Sequence, residues 1–192
     1  MNEPIEPPAK NLQKYTEYLL LLAKIHLPVK LQAKLDPADL VQQSLLYAHQ
    51  HWDQFRGNSE PERLCWLKTI LLNTLAMTIR TYQTEGRDIQ RERSLQLELN
   101  NSSALIERSL AADQSSPSQR IGKEEELFQL VQALKLLPYD QRQAIELHHL
   151  QGLPIKEIAT ILQRSPTAVV GLLVRGLKKL RECLLDNNHS SS

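Results

Sequence analysis

The stretch LPYDQRQAIELHHLQGLPIKEIATILQRSPTAVVGLLVRGLKKLRECLL, Leu137 to Leu185, constrains the fold more than any other part of the chain. Its apolar residues recur at helical spacing, and three breaks cut it into short helices. Leu137-Pro138-Tyr139-Asp140 opens the first, with Asp140 as the expected cap, and Ala144, Ile145, Leu147 and Leu150 share one face. Gly152 suits the positive φ of a helix end, and Pro154 suits the first turn of the next helix. Ile155, Ile158, Ala159 and Leu162 then line that helix, with Ala159 small enough for a close crossing. Pro166 opens the last, along which Ala168, Val169, Leu172, Leu173, Leu177 and Leu180 continue the period. Two short helices joined by a tight link form a helix-turn-helix.

The same stretch carries a local charge excess. Between Arg164 and Arg181 lie five basic residues (Arg164, Arg175, Lys178, Lys179, Arg181) and no acidic one. Phosphate attraction needs such a patch here, because the net charge of the 192-residue chain is only +1. A solvated basic face on an ordinary helical hairpin is the competing account of the same residues.

The rest of the chain is equally helical in pattern, so the expected fold is all-α. The acidic, Pro-rich start MNEPIEPPAK is unlike a signal peptide, and residues Met1 to Ala9 are expected to be disordered. A helix is expected from Lys10 to Leu27, with Leu12, Tyr15, Leu19, Leu22 and Ile25 or His26 inward. Asp36-Pro37 starts another, running to about Asp53 with Leu40, Val41, Leu45, Ala48 and Trp52 inward and Asp39, Gln42, Gln43 and Gln50 outward. After the polar loop FRGNSE, Ser59-Glu60-Pro61-Glu62 reads as a capping box. The helix it opens runs to about Tyr82 and buries Leu64, Leu67, Leu71, Leu75, Thr78, Ile79 and Tyr82. These helices make a first domain, residues 10–82. Residues 83–122, with mixed charge and then Ser, Asn, Gln and Pro, are expected to be a flexible linker with some helix over Arg91 to Leu110. A second domain, residues 123–185, begins with a helix from Glu124 to Leu137 whose acids sit in its first turn, and the tail from Asp186 is expected to fray.

Enzyme chemistry finds no support in the motifs. There is no Gly-rich phosphate loop, no G-x-S-x-G and no H-E-x-x-H. His49/His51 and His148/His149 lack metal-ligand spacing with a partnering carboxylate, so neither a metal nor a cofactor is expected. Cys65 and Cys183 are far apart and read as buried thiols of a reducing compartment. The longest apolar run, Tyr18 to Ala23, is too short to insert in a membrane, and a cytoplasmic protein is expected. One further cluster has binding character. Trp52, Phe55 and Trp66 bracket the FRGNSE loop, which brings Arg56 and Arg63 close to them. Rings in the core would explain it, and so would a single-strand site where cations follow the backbone and rings hold unstacked bases.

Two segments, in this order and with a polar stretch between them, resemble the sigma-70 family, specifically its short extracytoplasmic-function (ECF) members. Asp39 to Arg80 resembles the family's second conserved region, and Leu137 to Arg181 resembles its fourth. The resemblance implies a sigma factor that binds core RNA polymerase, directs it to promoter DNA and helps melt the −10 element. It implies polymerase contact through Asp39, Gln42 and Gln43, and −10 contact through Arg56, Asn58, Ser59, Arg63, Trp66, Lys68, Asn73 and Arg80. It implies −35 contact through Arg164, Ser165, Thr167, Ala168, Gly171, Arg175 and Lys178. An anti-sigma factor is a further partner that the family admits. The chain departs from the family where many members have T-V-K-S-R. Here the run is Ala168-Val169-Val170-Gly171-Leu172, with Val170 and Leu172 at the usual Lys and Arg positions. Those two residues suit thymine methyls or a protein rather than hydrogen bonds to base edges. Two other readings stay open: a helix-turn-helix regulator acting without core polymerase, and an adaptor that has lost DNA binding.

Overall fold

The computed structural model describes residues 12–27, 29–32, 34–85, 104–106, 108 and 117–189. The expected disorder of Met1 to Ala9, and most of the stretch read as a linker, lie outside these residues. The described residues are helical with no strand, and the chain divides into two compact units, Met1–Glu125 and Glu126–Ser192.

The first unit is built on three helices. A 3-10 turn, Leu12–Tyr15, leads into α1, Thr16–His26; short α2, Val29–Gln32, follows; α3 is Pro37–Gln50 and α4 is Glu60–Glu85. α1, α3 and α4 pack pairwise around Tyr15, Tyr18, Leu19, Leu64, Leu67, Leu71 and Leu75, all essentially inaccessible. His26, not Ile25, is the residue buried at the end of α1, where its Nδ1 lies 2.8 Å from the Leu22 carbonyl. The Asp36 carboxylate accepts from the Ala38 amide at 2.8 Å, as the Asp-Pro start signal requires. α3 ends at Gln50, earlier than expected, because the chain tightens into a second 3-10 turn, Trp52–Gln54; Trp52 is therefore half-buried and not a core residue of α3.

Two findings revise the expected middle of the chain. Ile106, inside the stretch read as linker, is fully buried in the first unit. The next helix, α5, spans Pro117–Lys135, so it begins well before Glu124. The acids at Glu124, Glu125 and Glu126 are thus interior to it and not in its first turn. Glu124 is buried, and its carboxylate accepts from Tyr18 Oη and from Lys68 Nζ. A carboxylate inside a unit needs such partners, since desolvating it alone is prohibitive.

In the second unit α6 is Tyr139–Ile145, continued by a π turn over Glu146–Leu150; α7 is Ile155–Ile161 and α8 is Pro166–His189. Both α6 and α7 pack against α8. Gly152, at φ +72°, makes the break before α7, and Pro154 stands just ahead of the first helical residue instead of within the first turn. Asp140 makes no cap bond; α6 starts behind Pro138, and Asp140 pairs instead with Arg164 at 2.9 Å. Leu177, expected inward, is exposed, and α8 continues beyond Leu185 to His189.

The close crossing is at Gly176 of α8. A Cβ there would stand 2.9 Å from Ile145 Cδ1 and 3.2 Å from Gln141 Cβ, so only hydrogen lets α6 and α8 approach this far. The link between α7 and α8 closes with Gln163 in the left-handed region, φ +53°, while the Arg164 amide donates to the Ala159 carbonyl at 2.9 Å. Two substitutions should therefore move stability in opposite directions. Gly176→Val should destabilise the second unit by about 1–3 kcal/mol through overpacking, and Gln163→Gly should stabilise it by up to about 1 kcal/mol by removing a strained φ. Thermal or urea unfolding followed by circular dichroism measures both.

Candidate nucleic-acid interfaces

The capping box at the start of α4 builds the first site. The Glu62 amide donates to Ser59 Oγ at 3.3 Å, and the Glu62 carboxylate accepts from the Ser59 amide at 2.9 Å and the Ser59 hydroxyl at 2.8 Å. It also accepts from the Asn58 amide at 2.8 Å. One side chain therefore fixes the end of the FRGNSE loop. Gly57 is needed in it, because a Cβ there would stand 2.6 Å from the Phe55 ring and 2.8 Å from Glu62 Cβ.

The three rings bracketing the loop form one cluster. Trp52 and Trp66 meet edge to face at 5.6 Å between centroids, and Phe55 lies 5.4 Å from Trp52 and 5.3 Å from Trp66. The guanidinium of Arg63 sits over them, 5.5 Å from the Trp52 centroid and 5.8 Å from that of Phe55. Arg63 is anchored from behind: its Nη1 donates to Tyr15 Oη at 3.0 Å, and Tyr15 Oη donates to Glu60 at 3.2 Å. Lys14 completes this chain at 2.7 Å from Glu60. Partial burial works against the Glu60 charge, yet the Lys14 ammonium and the Tyr15 hydroxyl hold its carboxyl below the usual range. Trp52, Phe55, Arg56, Gly57, Asn58 and Arg63 line a cavity of about 340 Å³. It joins aromatic edges, loop backbone and two guanidinium groups, a set that accepts a flat polar group next to an anion.

Not every nominated −10 residue belongs to this cavity. Arg56, Asn58 and Arg63 line it, whereas Ser59 is occupied by the capping box. Trp66 packs in the ring cluster; Asn73 and Arg80 are exposed further along the same side of α4, with Met77 between them. Lys68 is on the opposite side, where it is paired with buried Glu124. On α3, Asp39, Gln42 and Gln43 are exposed together with Leu46 and Tyr47, two apolar residues that the outward pattern did not flag.

The second candidate interface is the helix-turn-helix of α7 and α8. Ser165 caps α8, its hydroxyl accepting from the Ala168 amide at 3.2 Å, and Pro166 follows at the first helical position. Thr167, Arg175 and Lys178 are exposed, and Ala168 and Gly171 are half-buried. Leu172 is half-buried beside the core stripe, whereas Val170 and Val174 are on the outer face.

Two of the histidines considered for metal have other engagements. His51 stacks on Tyr47 at 4.0 Å, and His148 Nδ1 lies 2.9 Å from the Leu153 carbonyl. Among the described residues no group of three or more His, Cys, Asp or Glu is placed to hold a metal ion. Cys65 and Cys183 form no disulfide and are half-buried instead of buried. No helix among the described residues is long and apolar enough to cross a membrane.

With this geometry in view, the second unit matches a known family. Residues 127–180 match the model of the family described as "Sigma-70, region 4". The match begins within α5 and ends within α8, so it takes in both helices of the helix-turn-helix. This family is one of transcription-factor domains and not of enzymes.

The loop geometry depends on an ionised Glu62. The Asn58 and Ser59 hydrogen bonds hold its pKa below the ordinary glutamate value of 4.5. Its stabilising contribution is thus complete above that value and is lost as the pH falls through the lower, folded-state pKa. The protection of the Asn58 and Ser59 amides against exchange, taken relative to an unstructured peptide at the same pH and followed by NMR, should fall on acidification below pH ~4.5; Glu62→Gln should lower it already at neutral pH.

Proposed function

We propose that the chain is a sigma factor of the ECF type. It binds core RNA polymerase, directs it to a promoter subset and helps open the duplex. The observation that carries this reading is the match of residues 127–180 to sigma-70 region 4, a span that contains the helix-turn-helix and presents Arg164, Thr167, Arg175 and Lys178 to solvent. The second helix of such a motif enters the major groove, while neighbouring cations hold phosphates. In this reading α8 engages the −35 element.

The first unit supports the other half of the reading. Its aromatic-guanidinium cavity has the chemistry to receive a base taken out of the −10 stack, because flipping costs a few kcal/mol that stacking and polar contacts offset. Asn73 and Arg80 extend the contact along α4. The exposed Asp39, Gln42 and Gln43 of α3 supply the docking face for the polymerase, and an anti-sigma factor that covered this face would silence the chain. The protein acts in the cytoplasm and needs no cofactor. A regulator that worked without polymerase would have no use for the loop cavity.

Purified protein added to bacterial core polymerase should comigrate with it in size-exclusion chromatography and start transcription at discrete sites, read by mapping transcript 5′ ends. Failure to bind core or to redirect initiation removes the reading. Asp39→Ala combined with Gln43→Ala should weaken core binding without unfolding the first unit, since both side chains are exposed. Arg175→Ala should weaken duplex binding and reduce the slope of log affinity against log salt by about one. An unchanged slope would take Arg175 out of the phosphate contacts.

A further inference from the structure

α8 has an outer face that its leucine pattern conceals. Its core side is Val169, Leu173, Gly176 and Leu180, all buried. The opposite side carries Thr167, Gly171, Val174 and Lys178, at spacings that keep them on one helical face. Val174 is 63% exposed and Val170, at its flank, 43% exposed. Neither side chain can hydrogen-bond. Gly171 adds no bulk between them, and the Arg175 guanidinium lies along the helix there, 3.1 Å from where a Gly171 Cβ would stand. The face is therefore apolar at Val170 and Val174, with the Arg175 guanidinium lying over Gly171 between them, and cationic towards its ends, where Arg164 and Lys178 are exposed.

That combination selects among occupants. A protein partner would have to answer a run from Arg164 to Arg181 that holds five cations and no acid. A DNA duplex answers it directly, with phosphates on both walls of the major groove. Within that groove, the thymine C5-methyl is the apolar group that a base edge presents. We propose that α8 selects its duplex by packing Val170 and Val174 onto thymine methyls, with Arg164, Arg175 and Lys178 holding the flanking phosphates. This rests on the reading of the second unit as a duplex-binding domain and names what that domain recognises. Leu172, half-buried beside the core, takes no part.

The test uses the full chain with bacterial core polymerase. A randomised duplex pool is selected for binding, and the winning site is resynthesised with deoxyuridine replacing thymine one position at a time. Uracil pairs like thymine and lacks only the methyl. Selected sites should share thymines on the −35 side, and each replacement at a contacted step should weaken binding about fourfold, the equivalent of one buried carbon group of about 0.8 kcal/mol. Val174→Ala should weaken the thymine duplex similarly and leave the corresponding uracil duplex almost unaffected, because the contact is already absent. Equal binding of thymine and uracil duplexes, or selected sites with no shared thymine, overturns the methyl readout while the duplex-binding domain stands. No selection of any duplex overturns the domain reading and the inference with it.

Discussion

Both units depend on burial along a single stripe of each helix. Helices as short as α6 and α7 are marginal by themselves, so tertiary packing of the apolar stripe has to hold them. In the first unit Leu19, Leu64, Leu67, Leu71 and Leu75 close the core between α1, α3 and α4. In the second, Val169, Leu173 and Leu180 of α8 are buried where α6 and α7, with Ala144, Ile145, Ile158 and Ala159 buried, pack against it. A helix that buries one stripe necessarily presents the other. The residues proposed to bind polymerase or DNA are among those this division leaves outside: Asp39, Gln42 and Gln43 on α3, Asn73 and Arg80 on α4, Thr167, Val174 and Lys178 on α8.

Local signals were legible in the sequence because their spacing is their geometry. Asp36-Pro37 and Ser59-Glu60-Pro61-Glu62 each predict a helix start, and both form the cap bonds that the spacing implies. Gly152 marks a helix end and takes the positive φ such an end requires. Contacts between distant residues left no comparable trace. Arg63 is positioned by Tyr15, 48 residues away, and Asp140 loses its expected capping role to Arg164, 24 residues away. Nothing in the periodicity marks Gly176 as the crossing, since a small residue among leucines does not say which helix approaches it. The exposure of Leu177 and Val174 escaped the pattern for a related reason. An apolar residue in an apolar pattern reads as inward, and only the packing of α6 and α7 shows which side of α8 is covered.

The loop cavity shows how one carboxylate can organise a surface it does not line. Glu62 accepts the Asn58 and Ser59 amides and so fixes where the loop backbone turns. The loop in turn sets Phe55 against Trp52 and Trp66, and Arg63 is held over the rings by Tyr15 and Glu60. The Arg63 guanidinium is therefore preorganised, which lowers the ordering entropy a ligand at this cavity would otherwise have to overcome.

Magnitudes decide which of the cations singled out from sequence can leave their present partners for DNA. The Arg164–Asp140 pair is 55% and 46% exposed at its side chains, and a pair so hydrated is worth a few tenths of a kcal/mol to about 1 kcal/mol. A phosphate offers Arg164 at least as much, so the pair can exchange. Lys68 and Glu124 are 18% and 8% exposed. Removing one partner of a buried pair costs about 3–5 kcal/mol, because the other charge is left uncompensated. Lys68 would have to abandon Glu124 to reach a nucleic acid, and one phosphate contact does not offset that loss. The two lysine and arginine positions look alike in the sequence, yet burial commits one of them to the core and leaves the other available at the surface.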